Sequence, residues 1–208
     1  MTIIDDEKRK IKRKKILDSA KFLFKNKGFS QTTMLDIAKK SGVAKGTLYL
    51  YYKNKSEIIL NLLLEFRKEF NTLIQNVVSK ESDSGIKLLE LENIFKQIAL
   101  VTLEDLGAYK FIKEFSFKNL DRSKVAETFK DCEISIIKGL RSIIDQGIDE
   151  GLIVDSLDSL DVAIFYDTLF DGMVHKLSKF DNMNTYRDLS KKDYVDKVFT
   201  VLKKGLKK

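Results

Sequence analysis

The sequence predicts an all-α protein, and three features of its 208 residues support that prediction. Proline is absent and glycine occurs only 10 times, so the residues that break helices are scarce. Apolar residues recur three and four positions apart through most of the chain, which is the period of an amphipathic helix. No segment alternates apolar and polar residues over the length of a strand, and we therefore expect no β-sheet.

The first helix is expected over about residues 8–26. Its apolar residues are spaced i, i+4, i+7 and i+8, which places them along one face. Gly28 follows, and glycine commonly ends a helix because it adopts the left-handed conformation at little cost. The basic run Lys8–Lys15 extends this helix outward from its apolar part. The apolar residues are Ile16, Ala20, Leu23 and Phe24.

The next stretch has the pattern of a helix-turn-helix. Thr33 and Asp36 resemble a capping box, in which the threonine hydroxyl accepts a hydrogen bond from a backbone N–H of the first turn. Ala38 is small enough to let two helices cross closely, and Gly42 tolerates the positive φ of a tight turn. The Leu48 side chain of the second helix is then expected to point into the core.

Further helices are expected downstream on the same periodicity. The clearest break between them is the polar segment 81–85, which ends in glycine. With boundaries accurate to about 2–4 residues, the helices after the first are expected over 33–41, 45–52, 56–79, 86–105, 108–119, 122–150, 159–179 and 188–206.

Positive charge is concentrated in the N-terminal quarter of the chain. The net charge is +7, yet residues 1–57 hold 15 Lys and Arg against 6 Asp and Glu, while residues 58–208 hold 23 against 25. A concentrated basic segment favours a polyanionic partner, either a nucleic acid or an anionic membrane surface. The lone Cys132 favours a reducing compartment. Since neither a secretory signal nor a membrane-length apolar run is found, we expect a cytoplasmic protein.

The second helix of the helix-turn-helix has two chemically different faces. Leu48 and Tyr52 lie four residues apart, share one face and are expected to be buried. On the other faces, lysine and tyrosine can bond phosphates and reach base edges in a major groove, which is wide enough to hold a helix. The alternative is that the tyrosines belong to the core and the lysines to a solvated surface. The outward residues are Lys45, Thr47, Tyr49 and Tyr51.

Two stretches of this region carry a pattern known from a large protein family. They read TTMLDIAKKSGVAKGTLYLYYKNKSEI and, just before it, ILDSAKFLFKNKGFSQT. Together they span about residues 11–60 and strongly resemble the DNA-binding segment of TetR-family transcriptional regulators. Leu50 departs from the family, in which an aromatic residue is common at that position. By this resemblance the DNA contacts are Thr33, Lys45, Gly46, Thr47, Tyr49, Tyr51 and Lys55.

The resemblance implies a helix-turn-helix DNA-binding domain over residues 1–55 and a helical ligand-binding and dimerisation domain over residues 56–208. It implies a ligand-responsive regulator, a repressor that binds a near-palindromic operator as a homodimer and that a small molecule releases. No enzyme activity, catalytic residue, cofactor, metal or membrane association is expected. Two alternatives remain, a small nuclease with a DNA-binding head and a basic peripheral membrane protein.

Aromatic residues are abundant after residue 57, where 11 of the 14 phenylalanines lie. Pockets for apolar ligands are lined in this way, and so are ordinary helical cores, so each aromatic residue has both interpretations. His175 is the only histidine, and one histidine is too few ligands for a metal. We expect an apolar or aromatic effector. The candidate contacts are Tyr109, Phe111, Phe115, Phe129, Phe165, Tyr166, Phe170 and His175.

The last two expected helices each carry an apolar stripe suited to a dimer interface. Two such helices from each subunit would form a four-helix bundle about a two-fold axis, and Gly172 would permit close helix approach. Intramolecular packing of the same stripes is the alternative. The stripes are Ala163, Tyr166, Phe170, Val174 and Leu177 in one helix, and Tyr194, Val198, Val201 and Leu202 in the other.

Overall fold

The computed structural model describes residues 3–105, 124–177 and 189–208, and the regular structure within them is helical. The prediction of an all-α fold is confirmed: an isolated bridge joins Ile153 and Lys207, and no strand occurs in these ranges. The expected helix over 108–119 lies outside the described residues. The helices are α1 (Ile3–Lys27), α2 (Met34–Ser41), α3 (Lys45–Tyr51), α4 (Lys55–Val78), α5 (Ser84–Asp105), α6 (Lys124–Asp149), α7 (Ser159–Leu177) and α8 (Lys191–Leu206).

The described residues fall into two compact units that share helix α4. The N-terminal unit contains the residues up to Phe66, and the C-terminal unit contains those from Arg67 onward. A few residues at the end of α5 and the start of α6, namely Asp105 and 124–126, group with the N-terminal unit. Of the helices in the described ranges, none is both long enough and apolar enough to cross a membrane.

Helix α1 begins at Ile3, five residues before the expected start at Lys8. The five additional residues, 3–7, contain neither proline nor glycine, so no helix breaker marks the expected start. Residues 6–15 are all exposed, and the helix begins to bury one face only at Ile16. That buried face comprises Ile16, Leu17, Ala20 and Phe24, each 0% exposed.

The core of the N-terminal unit is completed by α2, α3 and the start of α4. Ile37 and Ala38 of α2 are buried, and α2 packs against both α1 and α3. Leu48 and Tyr52 are buried as the sequence predicts, at 0% and 2% exposure. Ile58 closes the same core from α4. The helix-turn-helix therefore rests on a packed scaffold that sets its orientation.

The C-terminal unit is built around a cluster of aromatic side chains from four helices. Phe70 of α4 and Phe170 of α7 stack with their ring centroids 5.3 Å apart. Phe95 of α5 meets both rings edge-on at 5.2 Å and also contacts Phe199 of α8 at 6.2 Å. Aromatic pairs in such geometries contribute about 0.5–1.5 kcal/mol each beyond the burial of their area.

This aromatic cluster determines which way α7 faces. The stripe that the sequence suggested for a dimer interface packs inside the C-terminal unit, with every member at most 6% exposed, so for α7 intramolecular packing is correct. In α8 the inward face contains Leu202, while Val201 is 72% exposed. The large apolar residues that α7 leaves exposed are Leu160, Ile164 and Phe165.

Helices α4 and α6 approach each other closely at Gly139. A Cβ atom on this glycine would lie 2.8 Å from Cγ2 of Ile74 and 2.9 Å from Nε2 of Gln75. The same Gln75 amide donates a hydrogen bond of 3.1 Å to the carbonyl of Ser135, also on α6. The missing side chain therefore lets the two helices combine apolar contact with a hydrogen bond between them.

Candidate nucleic-acid interface

The turn of the helix-turn-helix is set by Gly42. Its φ of 68° and ψ of 25° lie in the left-handed region, which glycine adopts readily. Its N–H donates to the carbonyls of Ala38 and Lys39, and the N–H of Val43 donates to the carbonyl of Ala38 at 3.1 Å. These hydrogen bonds satisfy the last carbonyls of α2 and direct the chain into α3 after only three residues.

The predicted capping box at the start of α2 is confirmed. The Thr33 hydroxyl accepts from the N–H of Asp36 at 3.1 Å, and the Asp36 carboxylate accepts from the N–H of Thr33 at 2.9 Å. Lys27 of α1 adds a salt bridge of 2.7 Å to the same carboxylate. Lys27 and Thr33 together hold the pKa of Asp36 well below its usual range.

Helix α3 presents a polar and partly apolar face to solvent. Leu48 anchors its inner side, while Lys45 and Gly46 are exposed at its first turn. Tyr49 is 43% exposed and Leu50 is 82% exposed, although both are large side chains with apolar surface. Thr47 and Tyr51 are half-buried at the edges of this face. The structure thus brings the predicted outward residues of α3 onto one accessible surface.

Tyr52 directly follows α3, and its side chain is buried in the N-terminal unit. Burial raises its pKa to about 12, against the opposing effect of Arg13. The Arg13 guanidinium lies 5.8 Å from the centre of the Tyr52 ring and donates to the side-chain oxygen of Asn61. Asn61 in turn donates to the carbonyl of Glu57 at 2.7 Å. Sequence reasoning missed Arg13 and Asn61 because they are 48 positions apart, and no local pattern links them.

Two predicted DNA contacts, Thr33 and Lys55, also hold the N-terminal unit together. Thr33 caps α2, while the Lys55 ammonium donates to the carbonyl of Phe29 at 2.7 Å. The same ammonium lies 4.4 Å from the centre of the Phe29 ring. Burial lowers the pKa of Lys55, with Asp36 acting in the opposite direction. Lys55 therefore ties the start of α4 to the loop after α1.

A second side-chain cap stands at the start of α4 and was not predicted. The side-chain oxygen of Asn54 accepts from the N–H of Glu57 at 2.9 Å. The Glu57 carboxylate accepts from the N–H of Lys53 at 2.6 Å. Asparagine followed three positions later by glutamate is the signal that would have predicted it. This cap fixes the path of the chain from α3 into α4.

The predicted effector contacts have different surroundings in the C-terminal unit. Tyr166 and Phe170 belong to its aromatic core, and burial raises the pKa of Tyr166 to about 12. Phe165 points to the surface at 53% exposure. Phe129 and His175 are half-buried. The remaining candidates, Tyr109, Phe111 and Phe115, lie outside the described residues.

A buried arginine near these residues forms salt bridges with three carboxylates. The Arg67 side chain on α4 is 9% exposed, and its Nε lies 2.9 Å from a carboxylate oxygen of Glu133 on α6. Its two terminal nitrogens lie 3.3 Å from Asp167 and 3.4 Å from Asp171, both on α7. The guanidinium carbon is 5.7 Å from the centre of the Phe129 ring. One arginine thereby joins α4 to α6 and α7.

The carboxylates of this Arg67 cluster outnumber its cation, and this affects their ionisation. Burial raises the pKa of Glu133 and of Asp167, although Arg67 acts in the opposite direction on both. Asp171 also raises the pKa of both Glu133 and Asp167, because like charges disfavour one another. Sequence reasoning could not identify Arg67 as the partner of Asp167, because the two residues are 100 positions apart.

Comparison with known proteins agrees with this geometry. The family model for bacterial regulatory proteins of the tetR family matches residues 16–62, which span the helix-turn-helix and its flanks. The fatty acid metabolism regulator protein of Bacillus subtilis (strain 168) is 31% identical over 144 residues, covering 69% of this chain and 71% of that protein.

Solved structures match the fold over nearly the whole chain. The fatty acid degradation regulator FadR from Bacillus halodurans aligns at a TM-score of 0.67 and 24% identity, covering 94% of this chain and 96% of that one. FadR from Bacillus subtilis, solved in complex with stearoyl-CoA, aligns at 0.67 and 21%, covering 92% and 98%. The chain belongs to the TetR family of ligand-responsive, DNA-binding transcriptional regulators.

Proposed function

We propose that this protein is a repressor that binds a near-palindromic operator as a homodimer and is released by a small apolar molecule. The exposed face of α3 is the observation that carries the proposal. Leu50 is 82% exposed and Tyr49 43% exposed beside Lys45, so much of the apolar surface of these two side chains is not buried in the fold. A major groove offers them phosphates, base edges and thymine methyl groups.

The residues of this face divide into two kinds of contact. Lys45 and the tyrosine hydroxyls suit phosphate oxygens, which position the protein without reading the sequence. Leu50 and the ring of Tyr49 suit thymine methyl groups, which carry sequence information. Gly46 keeps the first turn of α3 bare: a Cβ there would meet nothing within 4 Å in the free protein. Its role is therefore to let the backbone approach the duplex.

Thr33 and Lys55 can contact phosphates without leaving their places in the fold. An ammonium has three N–H donors, and the carbonyls of Phe29 and Ser30 engage two of them, at 2.7 and 3.4 Å. The Thr33 hydroxyl accepts the capping bond and can still donate its own hydrogen. Contacts from residues held this firmly would add little ordering cost on binding.

The dimer interface is assigned to the exposed apolar face of α7, in place of its buried stripe. Leu160, Ile164 and Phe165 are 38%, 48% and 53% exposed and lie within two turns of one helix. Val201 of α8, at 72%, is a further exposed apolar residue. Light scattering of Phe165→Asp should show monomers, whereas Leu89→Asp, at an exposed leucine of α5, should remain dimeric.

The effector is proposed to bind the C-terminal unit and to act through α4. This helix belongs to both units, and Arg67 joins it to α6 and α7. Because the Bacillus subtilis FadR structure contains stearoyl-CoA, a long-chain acyl-CoA is the first probe to use. An effector weakens operator binding only if it prefers the conformation that binds DNA poorly.

We further infer that the protein acts on chromosomal DNA in the cytoplasm and catalyses no reaction. The relatives found by sequence are transcriptional regulators, which supports this inference. Incubating operator DNA with the protein and Mg²⁺ should leave the duplex uncut. Cleavage of the duplex would instead favour the nuclease alternative.

Two measurements test the proposal. Selection of bound sequences from random duplex DNA should yield a two-fold symmetric consensus, and an asymmetric or absent consensus would contradict it. Stearoyl-CoA should then weaken binding to that consensus duplex at unchanged dimer content, while coenzyme A without its acyl chain should have no effect. Release by coenzyme A alone would contradict an effector recognised through its apolar part, and unchanged binding at saturation would exclude stearoyl-CoA.

A further inference from the structure

The basic run Lys8–Lys15, here called the basic extension, lies on an exposed part of α1. Seven of its eight residues are Lys or Arg, and every side chain in it is exposed. We propose that the basic extension is a second DNA-binding surface, which contacts the phosphate backbone of the duplex held by α3. This inference rests on the proposed function and extends its DNA interface beyond the helix-turn-helix.

The extension makes no contribution to the core that would explain its composition. The buried face of α1 begins at Ile16, and Ile11, the one apolar residue of the extension, is 56% exposed. Like charges meet at i, i+4 between Lys8 and Lys12 and between Lys10 and Lys14, and each such pair destabilises a helix by a few tenths of a kcal/mol. A polyanion along the helix would remove this repulsion.

The position of the extension is continuous with the proposed interface. Arg13 lies within it, donates to Asn61 and rests 5.8 Å from the ring of Tyr52, the residue that follows α3. The extension is therefore anchored beside the C-terminal end of α3, inside the same compact unit. Its eight residues span about 10 Å of helix, which equals about three base pairs along a duplex.

Duplex DNA fits this surface better than a membrane does. Basic residues occupy all sides of the extension, and Ile11 alone does not make an apolar face that could enter a lipid interface. An ion pair in this segment, Lys10 with Asp6 at 3.7 Å, is exposed and neutralises little of its charge. Long-range attraction to a phosphate backbone needs only such a concentration of charge.

The test compares two full-length variants that lose the same charge. Glutamine replaces lysine in both, because the two residues have similar helix propensity. The extension variant avoids Arg13 and Lys10, which have partners in the fold. It carries Lys8→Gln, Lys12→Gln, Lys14→Gln and Lys15→Gln. The matched variant changes three exposed lysines of α8 and the exposed lysine directly after it. It carries Lys192→Gln, Lys197→Gln, Lys204→Gln and Lys207→Gln.

Affinity is measured between about 50 and 200 mM salt on two duplexes of equal length, one selected by the wild-type protein and one of random sequence. Each phosphate contact contributes about 0.9 to the slope of log affinity against log salt. If the extension variant loses at least one phosphate contact per protomer of a dimer, the slope measured for this variant should fall by about 2 or more on both duplexes. The preference for the selected duplex should persist, and the matched variant should retain the wild-type slope.

An unchanged slope in the extension variant would overturn the proposal, as would an equal fall in the matched variant. Hydrogen exchange gives a second readout, because amides of residues 8–15 should become more protected when wild-type protein binds either duplex. Absence of that protection also counts against the proposal. If the proposed function were wrong, the wild-type protein would bind the two duplexes equally. The salt dependence of binding to the random duplex would still test whether the extension contacts DNA.

Discussion

Replacing Arg67 with methionine should destabilise the C-terminal unit by removing the cation that forms salt bridges with Glu133, Asp167 and Asp171. Methionine keeps the length and the apolar stem of the side chain, so the change acts chiefly on charge. The arginine is 9% exposed, whereas Glu133, Asp167 and Asp171 are 33%, 18% and 47% exposed. The substitution thus removes the positive charge that compensates these partly buried carboxylates.

The size of the effect follows from that burial. Breaking a fully buried ion pair costs about 3–5 kcal/mol, because an uncompensated charge remains inside. Water reaches the carboxylates here and screens part of their repulsion. We therefore expect the free energy of unfolding to fall by about 2–3 kcal/mol near neutral pH.

The loss should shrink as the solution becomes more acidic. Burial already raises the pKa of Glu133 and Asp167 in the folded protein, and Arg67 limits the rise. Without Arg67 both pKa values rise further above their unfolded values. An acid with a raised folded pKa binds its proton more tightly when folded, so lowering the pH through that pKa stabilises the folded state. The variant should regain stability relative to wild type between about pH 7.5 and pH 5.

Urea unfolding of the wild type, Arg67→Met and the control Lys68→Met at both pH values checks the prediction. Lys68 is the exposed neighbour of Arg67, so its substitution removes the same charge from the surface. A difference below about 0.5 kcal/mol between the two variants would refute the reasoning. So would a loss that grows on acidification. Adding Glu133→Gln and Asp167→Asn to Arg67→Met should restore part of the stability.

Substitutions at four further positions test the local geometry by urea unfolding. Gly42→Ala should cost about 1–2 kcal/mol, because a side chain disfavours its φ of 68°; a neutral result would contradict the role of the turn. Thr33→Ala should cost about 1 kcal/mol through loss of the α2 cap, whereas Thr33→Ser should retain most of the stability. Gly139→Ala should destabilise by about 1–2 kcal/mol because its Cβ would meet Ile74 at 2.8 Å. Gly205→Ala, where nothing lies within 4 Å, should instead stabilise by up to about 1 kcal/mol.

The features that sequence analysis predicted correctly are local ones. The capping box of Thr33 and Asp36, the turn at Gly42 and the burial of Leu48 each depend on residues a few positions apart. Side-chain chemistry and helical periodicity are sufficient at that range. The all-α fold follows for the same reason, since it depends on the sum of local preferences.

The features that sequence analysis missed depend on contacts between distant segments. Arg13 meets Asn61 across 48 positions, and Arg67 meets Asp167 across 100. A charged residue on an exposed-looking helix face carries no signal of such a partner. The start of α1 was also missed by five residues, because residues 3–7 contain neither a helix breaker nor a recurring apolar period that would mark a boundary.

Helix α7 shows why the dimer face could not be chosen from the sequence. Apolar residues occupy both its inner side, with Tyr166 and Phe170, and its outer side, with Ile164 and Phe165. Periodicity identifies the two stripes but does not say which one meets the aromatic core. That choice depends on Phe70 and Phe95, which come from other helices.

The central claim is that the exposed face of α3 reads operator DNA, and its most direct test is a ratio of affinities. Binding to the selected duplex and to a scrambled duplex is compared at one salt concentration for the wild type, for Tyr49→Ala with Leu50→Ala, and for the control Leu89→Ala. The α3 variant should lose about 10-fold or more of its preference, because Leu50 and the ring of Tyr49 supply apolar base contacts that carry specificity, whereas loss of the Tyr49 hydroxyl should weaken binding to both duplexes alike. An undiminished preference in the α3 variant would contradict the claim.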